Sequence, residues 1–130
     1  MTEEPSSRIV EQRLRNRMLE CFEYLAKSDE AVRTLGFREY FELFFDQFPY
    51  DGAWSLATLD DAEIRATQEV LDMMRMALEA TPSNMAGEDF IQSGWPERIQ
   101  PLAVRAVQTF LTRGKSNEEA EEIEPSPSKR

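Results

Sequence analysis

Apolar residues recur at three- and four-residue spacing in four stretches of the chain, and each stretch predicts a helix with a buried face. Val10, Leu14, Met18, Cys21, Phe22 and Leu25 line one face of a helix over 8–27, with Pro5, Ser6 and Ser7 ahead of it and a serine as its cap. From Phe37 to Phe48, seven residues in twelve are apolar. On a helical wheel they fill an arc of about 200°, wider than the stripe of about 100° that a surface helix needs. Such a helix has to be covered from two sides, either by two helices of its own chain or by one helix and an external partner. Leu59, Ala62, Ala66, Val70, Leu71, Met73, Met74, Ala77 and Leu78 predict a helix over 59–80, with Thr58 as cap and Asp60 and Asp61 in its first turn, where the helix dipole favours anions. Leu102, Ala103, Ala106, Val107, Phe110 and Leu111 predict a last helix over 100–113, with Pro101 at its first position and Gly114 just past its end.

Between these helices the pattern is short and punctuated. Ser28 to Val32 suits a turn of helix that Gly36 ends, as glycine does where the chain must turn left-handed. Glu88 to Gln92 suits another. The fold class expected is all-α: a compact bundle of four main helices with short connecting turns. Residues 1–7 read as a flexible N-terminus and 8–114 as a single helical domain. From Lys115 the chain runs KSNEEAEEIEPSPSKR, with Ile123 its one large apolar residue. By composition, 115–130 is a disordered acidic tail, because it lacks the apolar surface that offsets the entropy of ordering.

Charge changes the picture by where it lies. The chain of 130 residues carries a formal −10. Residues 29–89 hold fourteen acids against four bases, while the segments on either side are neutral. An acidic middle repels nucleic acid and anionic lipid and attracts basic partners. The one basic cluster, Arg8, Arg13, Arg15 and Arg17, has two readings. One is a phosphate-contacting helix. The simpler one pairs these arginines with the acidic middle of the same chain or with its tail. The expectation is no nucleic-acid binding and no membrane attachment. No apolar run approaches the roughly 20 residues of a membrane span, and the chain opens without an apolar leader, so a cytoplasmic protein is expected.

Candidate chemistry is sparse. The sequence has no histidine, which removes the usual general base and the commonest metal ligand. Cys21 is the only cysteine and sits in an apolar stripe, so a packing role is expected for it. The glutamates at 118, 119, 121, 122 and 124 lack the glycine-centred loop of a calcium site. No metal, no cofactor and no catalytic residue is assigned. Met73, Met74, Met76 and Met85 fit either a methionine-rich core or an adaptable binding surface.

The aromatic segment is the remaining signal. Eight of the thirteen aromatic residues lie between Phe37 and Trp54. Asp46, Tyr50, Asp51 and Trp54, where the aromatic helix passes into a loop, form the candidate protein-binding patch. The aromatics supply anchors and the acids supply steering. In the competing reading, Trp54 plugs the end of the bundle. The function expected is a small acidic protein-interaction module without catalytic activity, in an inhibitory, immunity-like or adaptor role, with a partner of basic surface. The alternatives are a homodimeric structural or assembly subunit, and an enzyme working with carboxylates alone.

Overall fold

The computed structural model describes residues 4–48 and 56–123. Among these, six helices and no strand occur: α1 (Ser7–Leu25), α2 (Asp29–Leu35), α3 (Phe37–Gln47), α4 (Asp61–Ala80), α5 (Gly87–Gln92) and α6 (Trp95–Leu111). The all-α class holds, and the count rises from four because the two short turns are helices in their own right. No helix among the described residues is long and apolar enough to cross a membrane.

The last helix sits at the hub, packed against α1 and α4 and also against α2 and α5. Its buried residues are Pro96, Ile99, Ala103, Ala106 and Phe110. It starts at Trp95 rather than near Pro101. Gly94, at φ +90°, turns the chain, and Pro96 takes a first-turn position where its missing N–H costs nothing. Pro101 lies inside the helix at an exposed position, so the carbonyl it cannot serve is close to water.

The aromatic helix α3 is covered by its own chain, packing on α1 and α2. Phe90 of α5 lies beneath it, with its ring 5.3 Å from Phe37, 5.5 Å from Tyr40 and 5.3 Å from Phe41. Phe48 stacks on Phe22 at 5.0 Å, and Phe22 meets Phe110 edge-on at 5.3 Å, which joins α3, α1 and α6 in one core. Gly36, at φ +91°, turns the chain between α2 and α3 as its position predicts. Of the methionines, Met18 and Met74 are buried, Met73 and Met85 pack partly against the core, and Met76 is exposed.

Two expectations are corrected in α1 and at the tail. Val10 and Leu14 face solvent, while Gln12, Arg15 and Asn16 face inward with Met18, Leu19, Phe22 and Leu25. The cause is a set of polar partners on the far side. Gln12 donates to the carbonyls of Asn117 at 2.7 Å and Ala120 at 2.8 Å, and accepts from the amide of Glu122 at 2.7 Å. Asn16 donates to the Ser116 carbonyl at 2.9 Å and accepts its amide at 2.8 Å. Residues 115–123, assigned to a disordered tail on composition, therefore lie along α1, with Ser116 buried. Side-chain hydrogen bonds to their backbone hold them, a term that a count of apolar residues omits. The remainder of that tail, 124–130, is outside the described residues. At the start of α1, Ser6 is the cap, its hydroxyl accepting from the Ile9 amide at 3.2 Å.

Candidate functional site

Two constructions stand out: a buried ionic junction, and a cleft whose wall that junction positions. The junction centres on Glu63, in the first turn of α4. Asp60 caps this helix in a reciprocal box, accepting from the Glu63 amide at 2.8 Å while Glu63 Oε1 accepts from the Asp60 amide at 3.0 Å. Thr58, the cap expected from the sequence, instead donates its hydroxyl to the Glu11 carbonyl at 3.3 Å. The Glu63 carboxylate then takes two guanidiniums. Arg15 Nη2 meets Oε2 at 2.6 Å, and Arg113 Nη2 meets Oε1 at 2.7 Å. Arg15 also donates to the carbonyls of Phe110 and Gly114, each at 2.8 Å, and lies 5.0 Å above the Phe110 ring.

This arrangement has little to offer a reaction. Glu63 is the only buried carboxylate among the described residues, and both its oxygens are already engaged. No group of three or more histidine, cysteine, aspartate or glutamate side chains among the described residues is placed to hold a metal ion. The junction ties α1, α4, the end of α6 and the strap that follows it, residues 115–123, together. Of the two readings of the basic cluster, pairing within the chain is what the geometry displays: Arg15 pairs with Glu63, Arg13 donates to the Glu118 carbonyl at 2.8 Å, and Arg17 pairs with Glu20 and, at 3.3 Å, with Glu118.

The cleft lies between α1 and α3 and holds about 200 Å³. Its floor and walls are apolar: Leu25, Leu35, Leu43, Phe44 and the Cys21 thiol. Tyr40 also lines it. That residue is 1% exposed, and its buried hydroxyl has no hydrogen-bond partner among the described residues. Glu20, Asp46 and Arg17 stand at its rim, and Tyr24 and Leu43 are exposed beside it. Past Tyr24 the surface continues into a shallow groove formed with Glu20, Glu23 and Lys27.

Electrostatics in the cleft are negative. Burial pushes the Cys21 thiol up to about 12, with Glu20 and then Asp46 adding to the shift. A thiol so raised is neutral at ordinary pH and a poor nucleophile. It donates weakly to the Leu43 carbonyl at 3.8 Å, bridging the two helices. Burial also raises the Tyr40 hydroxyl, with Asp29 contributing. Arg17 offsets Glu20 through their ion pair, but Asp46 makes no ion pair or hydrogen bond among the described residues.

Of the four residues singled out from the sequence, Asp46 is exposed on the cleft rim. Tyr50, Asp51 and Trp54 lie outside the described residues. The sequence reading did not single out Tyr40, Tyr24, Leu43 and Glu20 for a site. Cys21 was placed in the core stripe and in fact sits half-buried at its edge. Comparison with protein-family models, with curated proteins and with solved structures finds no match to this chain.

Proposed function

We propose that this protein is an acidic, non-catalytic protein-interaction module, and that the α1–α3 cleft is its docking face for a basic partner. The observation that carries the reading is the pairing of an apolar floor with an acidic rim on which Asp46 has no ionic partner among the described residues. An apolar recess rewards insertion of one large side chain, and a free carboxylate at its edge rewards a neighbouring lysine or arginine. Tyr24 and Leu43 extend the contact area on either side. An inhibitory or adaptor role suits such a surface, since neither needs chemistry of its own.

The test is a random-peptide selection on the immobilised protein, run in parallel on an Asp46→Lys variant. Peptides enriched on the wild type should be rich in lysine or arginine next to a large apolar residue, and should lose binding on the variant and in high salt. Enrichment of acidic peptides, or binding indifferent to Asp46→Lys, overturns the reading.

A further inference from the structure

We propose that the outer face of α1, made by Gln12, Arg13, Asn16 and Arg17, is a second binding surface, for a short acidic peptide segment of a partner, and that residues 117–122 of this chain cover it as an autoinhibitory contact which such a segment displaces. This goes beyond the cleft reading and does not depend on it.

The strap displays the chemistry that the face accepts. Gln12 donates to the carbonyls of Asn117 and Ala120 and accepts from the Glu122 amide, and Arg13 Nε donates to the Glu118 carbonyl at 2.8 Å. These are main-chain atoms, which any peptide carries. The Glu118 carboxylate adds the preference for acid, accepting from Asn16 Nδ2 at 2.7 Å and from Arg17 Nη2 at 3.3 Å. The segment also fixes its own turn, with Asn117 Oδ1 accepting from the amides of Glu119 at 2.7 Å and Ala120 at 2.8 Å.

A competitor can replace this hold. Ser116 is 6% exposed and bonded to Arg15 and Asn16, which anchors the near end of the strap. Past that anchor nothing apolar is buried: Ala120 is exposed, and Ile123 is 84% exposed. When 117–122 lifts away, water reaches the polar groups it leaves, so only the small net gain of each hydrogen bond is lost. A second segment that offers the same bonds then competes with the tethered one by mass action. Such a segment has something to gain over the strap. Arg13 is exposed and meets a carbonyl, with no carboxylate paired to it among the described residues, so an acid brought to it supplies a charge that the strap does not.

The experiment uses the full chain and follows amide chemical shifts during titration with the capped peptide Asn-Glu-Glu-Ala-Glu-Glu, with Asn-Lys-Lys-Ala-Lys-Lys as its counterpart. A loosened chain carries Glu118→Lys and Glu122→Pro, which remove the carboxylate and the amide that grip α1. The acidic peptide should shift residues 12–17 and bind the loosened chain about tenfold more tightly than the wild type, because the open face is then more populated. Adding Arg13→Glu to the loosened chain should weaken that binding about tenfold. In the unmodified wild type, hydrogen exchange at the Glu122 amide should be at least about tenfold faster than at the Ser116 amide, since the strap opens beyond its anchor. Equal exchange at the two amides, equal binding of the acidic peptide by wild-type and loosened chains, equal binding of the two peptides, shifts away from residues 12–17, or indifference to Arg13→Glu each overturns the inference. If the loosened chain fails to fold, the wild-type exchange rates and the choice between the two peptides decide by themselves.

Discussion

The Arg15 guanidinium and the Glu63 carboxylate meet at 2.6 Å, with 1% and 0% of their side chains exposed, and this pair fixes the rotation of α1. Residues 12, 15, 16, 19 and 22 form one inward stripe because Arg15 must reach Glu63 and its neighbours Gln12 and Asn16 must reach the strap at 116–122. The adjacent stripe, Arg17, Glu20, Cys21 and Tyr24, is then turned towards α3 and becomes a wall of the cleft. A polar junction on one side of a helix thus sets the apolar surface that the helix offers on another.

Replacing Glu63 with Gln leaves the Arg15 charge buried without a counter-charge. The expected cost is about 3 kcal/mol, in the range seen when one partner of a buried pair is removed. Urea denaturation of Glu63→Gln measures it. A change below about 0.5 kcal/mol, the size of an ordinary surface substitution, would show that the junction is wetter than its geometry implies.

Removing residues 116–130 takes away the partners of Gln12 and Asn16 and the Ser116 hydroxyl that Arg15 Nη1 meets at 3.0 Å. The truncated chain should lose about 2 kcal/mol, and its Tm should fall by roughly 8 °C. An unchanged Tm would mean that the strap contributes nothing to folding.

Cys21 gives a pH signature. Its thiol is raised to about 12 in the folded chain, whereas a free thiol titrates near 8.5. Between those values the unfolded state has lost the proton and the folded state keeps it. The stability gained by burying the neutral thiol is therefore complete below about pH 8.5 and declines as pH rises towards 12. Stability measured from pH 8 to 10 should fall less steeply in Cys21→Ala than in the wild type. Maleimide labelling at pH 8 should be roughly two to three orders of magnitude slower than for a free thiol, since only the thiolate reacts. Labelling at the free-thiol rate would contradict the account of the cleft's interior.

Gly36 and Gly87 separate backbone strain from space. Gly36, at φ +91° and ψ 157°, occupies a region close to glycine-only, and Gly36→Ala should cost about 1–3 kcal/mol even though nothing crowds an added Cβ. At Gly87 an added Cβ would meet Val32 Cγ1 at 3.7 Å, an ordinary contact, and φ there is unexceptional. Gly87→Ala should be neutral or stabilising by up to about 1 kcal/mol. Equal costs at both positions would dismiss the distinction.

Much of the fold was legible in the chain. Hydrophobic periodicity located α3 and α4, serine spacing found the cap of α1, and Gly36 marked a real turn. The misreadings share a cause. Periodicity assigns apolar residues to the inside, so Val10 and Leu14 were expected there, where the structure puts Gln12, Arg15 and Asn16. The partners that reverse this, Glu63 and residues 116–122, lie roughly 50 to 110 positions away. Two prolines, Pro96 and Pro101, both suit a helix start, and Gly94 decides between them only once its left-handed turn is known. Asp46 was picked for its charge and does stand on the cleft rim. The cleft itself has no signature in either helix alone. It exists because the junction rotates α1 and the Phe90 contacts hold α3.

The central claim is that the α1–α3 cleft docks a basic partner. The most direct measurement is amide chemical-shift mapping on the isotope-labelled full chain, titrated with the strongest basic peptide from the selection at low and high salt. The account predicts shifts concentrated on residues 17–25 and 35–47, weakened by salt and abolished by Asp46→Lys. Shifts centred instead on the outer faces of α4 and α6, around Met76, Val104 and Leu111, or shifts unaffected by Asp46→Lys, would contradict it.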